Sequence, residues 1–344
     1  MELSDRKLKI LSAVIDSYVQ SGEPISSKII CNLLDFPLSS ATIRNELAEL
    51  TELGFLEQPH TSAGRVPSHL GYRLYINKLM RKTALSQRTK RIIDSSLNSH
   101  VANPEQLLKE ASHLLANITN FAVISTDISS QKNFIKRIQL VQVGSCSAMM
   151  ILTTSSGIIK NQLFRCNFLL SNEMMNVLNK VLNDNFLYVS LDDITPVFIQ
   201  TIATSLGNLA FFMSDVFAAL LEISKQLSKT DIHFDGQINL LLIPEFNPQS
   251  VVKVVDFFNC SDGIRYLYTC EDKNKTRVLI GQENKHEVLS KSSIIITRYN
   301  INNGNHGSIG IIGPTRMNYS KLIADLEYIA SSIEGILNNL LNLE

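Results

Sequence analysis

An α+β fold is what this 344-residue sequence predicts, with three short helices and a β-hairpin followed by strands and helices in alternation. Three observations predict it. In SSATIRNELAELTELGFLEQPHTSAGRVPSHLGYR, residues 39–73, a helical stripe gives way to two short strand signals around a turn. Beyond Asn117 the apolar pattern changes from helical to strand-like, as in the alternation of Ile135–Val143. The chain then closes on a helical stripe of Leu322, Leu326, Ile329, Ile333 and Ile336.

The elements follow in order. Residues 5–21 place Leu8, Leu11, Ile15 and Tyr18 on one helical face, and Gly22-Glu23-Pro24 ends that helix because Pro cannot continue it. Ser26 or Ser27 caps a short second helix reaching about Leu34, and Phe36-Pro37-Leu38 turns the chain into a third. Ser39 and Ser40 are its N-cap residues, Ile43, Leu47, Leu50 and Leu53 its inner stripe, and Gly54 its left-handed stop. Ala41, Thr42, Arg44, Asn45 and Ala48 are left facing outward. Two alanines let such a helix sink into a major groove, where Arg bonds guanine bidentately and Asn does the same to adenine. Arg44 and Asn45 are therefore the candidate base readers, and Ser40 and Thr42 suit phosphate. Glu46, Glu49 and Glu52 limit entry into the groove to the N-terminal half of the helix.

Helix, turn and helix at this spacing predict a helix-turn-helix, and the strands at 55–57 and from Val66 predict its wing. At the wing tip Thr61, Ser62, Gly64 and Arg65 offer hydroxyls, amides and a cation to the DNA backbone. A helix over 69–83 turns Tyr72, Ile76 and Leu79 inward, with Arg73, Lys78, Arg81 and Lys82 outside; Arg73 and Tyr72 either touch the backbone or brace the wing.

Charge supports this reading only locally. The net charge is zero, yet residues 1–91 hold 13 Lys and Arg against 9 Asp and Glu, and residues 58–91 carry bases with no acid. A one-signed run beside a recognition helix predicts a phosphate footprint. The five cysteines are widely spaced with no C-x-x-C pair, which argues for small buried hydrophobes in a reducing cytoplasm and against a zinc site. The N-terminus is broken by charge every few residues, unlike a signal peptide, and no apolar run of about 18 residues is evident, so a soluble cytoplasmic chain is expected, with no membrane partner.

Residues 84–104 read as a polar, partly helical linker. Strands are expected at Ile135–Val143, Ala148–Thr153, Ile158–Phe164, Ile238–Ile243, Arg277–Ile280, Ser293–Tyr299 and Ser308–Ile312. The block 171–229 is helical and apolar on several faces, so it needs a second surface to cover it; a homodimer interface is expected there. The glycines of 304–313 lack the G-K-[ST] ending of a phosphate loop, and Asp192-Asp193 has no histidine beside it. No catalytic constellation emerges, so no enzyme, cofactor or metal is expected.

Six uncommon strings carry a resemblance: ATIRNEL at 41–47, QPHTSAGRVP at 58–67, GYR at 71–73, PEF at 244–246, IGQEN at 280–284 and GPTRMNY at 313–319. With them the chain resembles the HrcA family of heat-inducible transcription repressors of bacteria. The resemblance implies a winged-helix DNA-binding domain at 1–83, a linker helix region at 84–116, and a GAF-like domain at 117–170 and 250–344 interrupted by a mostly helical dimerising segment at 171–249. It implies repression of chaperone operons through an inverted-repeat operator called CIRCE, inactivation by heat, and the chaperonin GroEL as a modulator. A dimer reads two half-sites related by its own twofold symmetry. The alternative is a winged-helix regulator whose GAF-like domain senses a metabolite.

Overall fold

A computed structural model describes residues 3–34, 38–60, 63–81, 83–98, 104–126, 133–227, 232–260, 263, 266, 276–301 and 305–342. The chain is mixed α and β throughout, as its patterning predicts.

The head begins with α1 (Asp5–Ser21), capped by Ser4, and α2 (Ser27–Leu33), capped by Ser26. Helix α3 (Ser40–Glu52) is capped by Ser39, whose hydroxyl accepts from the Thr42 amide at 3.1 Å; Ser40 is the first helical residue rather than a second cap. Its stripe behaves as the spacing requires: Ile43, Leu47 and Leu50 are buried, while Leu53 lies at the end, half-exposed. Gly54 sits at φ 79°, and the paired bonds Phe55 N–H to Leu50 O (2.9 Å) and Gly54 N–H to Thr51 O (3.0 Å) close the helix. This is the Schellman arrangement, which needs a left-handed residue at that position. Strands β1 (Leu56–Glu57) and β2 (Val66–Pro67) then pair antiparallel, Leu56 opposite Pro67. Helix α4 (His69–Leu74) widens into a π turn over Tyr75–Leu79 and stops at Met80, so the helix expected to reach residue 83 ends earlier.

The body is built on a five-stranded antiparallel sheet of order β7-β3-β10-β9-β8: β3 Ala122–Thr126, β7 Ile232–Asp235, β8 Thr276–Ile280, β9 Ser292–Ile301 and β10 Asn305–Pro314. Both faces are covered, which is why its strands read as apolar runs rather than clean alternation. Ile295, Ile309 and Ile311 face a layer of α5 (Gln87–Asn98), α6 (Pro104–Thr119) and the C-terminal helix α12 (Tyr319–Asn342). Ile294, Ile296 and Ile312 face α10 (Gln237–Leu241) and α11 (Pro248–Asn259). The stretch 84–116 is accordingly no free linker: Ile93, Leu97, Leu107, Leu108, Ala111 and Leu115 are buried under the sheet.

A second unit is inserted between β3 and β7. Strands β4 (Ile135–Gly144), β5 (Ser147–Thr154) and β6 (Ile159–Arg165) form an antiparallel meander. They share one core with α7 (Asn172–Phe186), α8 (Pro196–Leu206) and α9 (Ala210–Leu227). Two expectations are corrected here. The insertion begins with β4, not at residue 171, and is a sheet with helices rather than mostly helical. The strand expected at Ile238–Ile243 is helix α10, where only Leu240 is buried and Ile238, Leu241 and Leu242 are exposed. A short apolar run does not distinguish strand from helix by periodicity. The span Pro196–Leu227, contrary to expectation, is long and apolar enough by composition to cross a membrane. A 3-10 turn at Gly207–Leu209 interrupts it, and Ile199, Ile202, Met213, Val216, Leu220 and Ile223 are buried in the unit's own core.

Candidate nucleic-acid interface

The outward face of α3 is what its sequence predicts. Ala41, Arg44 and Asn45 are exposed and Thr42 and Ala48 half-buried, while Ile43, Leu47 and Leu50 on the opposite side hold the helix to the head's core. The hydroxyls at its start are already engaged with each other. Ser40 Oγ lies 3.0 Å from Ser27 Oγ, which ties α3 to α2, and Thr42 Oγ1 lies 2.9 Å from Ser39 Oγ. Each hydroxyl keeps lone pairs or a rotatable proton for one further partner.

The acids of α3 are handled by α1, which sequence spacing alone does not reveal. Buried Glu46 is ion-paired by Arg6, with Lys7 Nζ at 3.8 Å, and Lys7 Nζ lies 2.7 Å from Glu49. The hydrogen bond to Lys7 holds the Glu49 carboxyl below its ordinary range, and the same bond raises Lys7. Two of the three carboxylates that repel a polyanion are thus neutralised from behind, and Glu52 stays exposed.

The hairpin closes a cleft of about 470 Å³ against α3, lined by Ser26, Ser27, Arg44, Gln58, Gly64 and Arg65 among others. Arg44 and Arg65 thereby share one concave surface. Arg65 Nε donates to Thr51 Oγ1 at 2.9 Å, and its backbone exchanges two bonds with Ile25 (2.9 and 2.8 Å), pinning the hairpin to the start of α2. Gly64 has a packing reason that the phosphate reading missed. A Cβ there would meet the Ile25 carbonyl at 2.5 Å and Pro24 O at 2.7 Å. Thr61 and Ser62 lie outside the described residues.

Arg73 is placed elsewhere. Its guanidinium grips Glu283 bidentately, with Nε to Oε1 at 2.8 Å, and Nη2 also donates to Val278 O at 2.6 Å. It joins head to body and does not line the cleft of Arg44 and Arg65. The basic run 58–91 is similarly divided: Lys78 and Arg81 line a second cleft with Asp5 and Asp16 of α1, and Lys90 Nζ sits 5.5 Å from the ring centre of Tyr328. The bases of that run are spread over more than one surface.

Burial raises the Glu283 carboxyl, but the Arg73 bond, the Ile280 amide and the Arg73 charge outweigh it and leave the group below its usual 4.5. A carboxylate depressed on folding contributes stability that is complete above the unfolded value and is lost as pH falls through the folded one. Glu283→Gln is therefore expected to cost about 1–2 kcal/mol near neutral pH, between exposed and buried pairs, and the difference should disappear as pH falls through the folded-state value, which lies below the ordinary one. Urea unfolding of both chains across that range checks it; a gap that persists in acid refutes the charge account.

The geometry defines a class: an α+β protein with a three-helix-and-hairpin head on a sheet-centred body that carries a second inserted unit. A crystal structure described only as a hypothetical protein has the same fold, with a TM-score of 0.72 at 22% identity, covering 98% of this chain and 99% of that one. A family model described as HrcA protein C terminal domain matches residues 105–323. The heat-inducible transcription repressor HrcA of Thermoanaerobacter pseudethanolicus is 37% identical over 349 residues, 99% of each chain. That of Clostridium botulinum is 32% identical, over 98% of this chain and 99% of its own. The chain belongs to the HrcA family.

Proposed function

We propose that this chain is a sequence-specific, DNA-binding repressor of heat-shock chaperone operons, reading a CIRCE-type inverted repeat as a cytoplasmic dimer and inactivated by heat. The names of its relatives support the repressor role. The observation that carries the DNA-reading part is the exposed Arg44–Asn45 tip of α3, flanked by small Ala41 and Ala48 and sharing a cleft with Arg65 of the hairpin. In this reading α3 is the recognition helix of a winged helix and the hairpin its wing. Arg44 and Asn45 read base edges, while Ser40, Thr42, Thr61, Ser62 and Arg65 meet the backbone. Gly64 serves the wing by packing, and Arg73 leaves the DNA-facing set.

The body is read as GAF-like. Val197, Phe211 and Leu169 of the inserted unit are 73, 74 and 75% exposed, which supports a second copy covering it. Heat sensing then needs no dedicated pocket, because unfolding enthalpy makes loss of the active fold steep with temperature. A GroEL-type chaperonin that binds the active form would shift that balance by mass action.

The wild-type chain is expected to bind an inverted-repeat duplex roughly 10³-fold or more tightly than a scrambled one at physiological salt. It should lose that preference after mild heating, and fluorescence anisotropy titration measures both. Equal affinity for the two duplexes in unheated protein sinks the reading.

A further inference from the structure

Four of the six uncommon strings meet at one place, the seam between head and body. Arg73 and Tyr72 of GYR face Glu283 of IGQEN and Tyr319 of GPTRMNY; the two tyrosine rings stand edge to face with centres 5.8 Å apart. Arg316 of GPTRMNY reaches the C-terminal end of α1, where Nη1 donates to Val19 O at 3.3 Å, while its Nε donates to Glu245 Oε1 of PEF at 2.7 Å. A cation at a helix C-terminus meets the negative end of the backbone dipole. Ser320 completes the set, accepting from the Thr83 amide at 3.0 Å and donating to Arg81 O as the chain leaves the head. Tyr319 is itself locked, its hydroxyl donating to Thr315 O at 2.6 Å beside Ser293 Oγ at 2.8 Å.

The head is thus held at three separated points: the end of α1, the middle of α4 and its exit segment. Apolar contact is non-directional, but a bidentate guanidinium–carboxylate pair fixes direction as well as distance. A head needing only a tether would have no use for one bidentate pair and a second guanidinium, held by Glu245, aimed at the end of α1.

We propose that Glu283, Glu245 and Arg316 are positioning residues that fix the angle of the head on the body, and so the separation at which two heads of a dimer meet two half-sites. The inference rests on the dimeric DNA-binding reading above. Half-sites on one face of a duplex are spaced by helical turns of about 34–36 Å, so a small rotation of each head changes which spacing fits. None of these residues contacts DNA in this account; they select the geometry of the site, not its bases.

The test uses the full-length chain and a series of inverted-repeat duplexes whose arms are moved together or apart by one to three base pairs, with a single-arm duplex as reference. Wild type is expected to prefer one spacing by about tenfold or more. Glu245→Gln/Glu283→Gln is expected to compress that preference to about threefold or less while single-arm affinity stays within about twofold. Both substitutions are isosteric on partly exposed side chains, and each single variant gives the same reading should the double one unfold. Spacing preference unchanged in the folded variants overturns the inference and leaves the DNA-binding reading intact. Wild type that ignores every duplex overturns both.

Discussion

Arg44→Ala is expected to cut the preference for operator over scrambled duplex by roughly 5- to 150-fold, the worth of about 1–3 kcal/mol for one bidentate base contact. The side chain is exposed on the half of α3 that the acids do not guard, and it lines the cleft closed by the hairpin. Its removal touches nothing in the head's core, so the unfolding midpoint should stay within the range of ordinary surface substitutions, about 0.5 kcal/mol. Competition binding against both duplexes measures the ratio. A ratio equal to wild type would move base reading away from this residue, whatever the change in total affinity. An Arg that served only as a phosphate contact would weaken both duplexes together and flatten the salt dependence instead.

Tyr72→Ala should produce the largest loss of stability of any single change considered, about 3–5 kcal/mol. Tyr72 is 2% exposed, packs edge to face on Tyr319, and belongs to a core continuous from Ile10 of α1 to Leu337 of α12. Truncation opens a void where head and body meet, and both lose support. Tyr72→Phe is expected to cost nothing measurable. The ring contact remains, and the buried hydroxyl it removes has no hydrogen-bond partner among the described residues. Burial also raises that hydroxyl's pKa, so it stays protonated over the working range. Chemical unfolding of the two variants side by side separates the ring from the hydroxyl. An alanine variant as stable as wild type would mean that the seam is not part of the folded core.

The front of the molecule was legible in its sequence because the signals there are local. Ser26, Ser39 and Gly54 mark helix ends through bonds to residues no more than a few positions away. The stripe of Ile43, Leu47 and Leu50 is read directly from helical period. What stayed hidden is non-local. Strands β4, β5 and β6 have the same pattern whichever core they serve, so their allegiance to α7–α9 rather than to the five-stranded sheet left no mark. Arg73 looked available for phosphate because its partner Glu283 stands 210 positions away. Gly64 looked like a wing-tip amide, whereas its lack of a side chain answers to a carbonyl in the turn before α2. The sign pattern of 58–91 located bases without saying which are already taken. The head-to-body strings were visible as strings, and only their convergence in space gives them a physical reason.

Strand β3 ends and β7 begins as hydrogen-bonded neighbours, with Thr126 opposite Ile232. The excursion between them therefore leaves and re-enters through a gap of about 5 Å, one strand spacing. With its ends fixed there, a change in the length of the excursion alters the closure entropy only logarithmically, by about 0.6 kcal/mol per doubling. Evolution can enlarge, shrink or resurface the appended unit without disturbing a single rung of the ladder that carries the rest, and an engineer can replace it on the same terms.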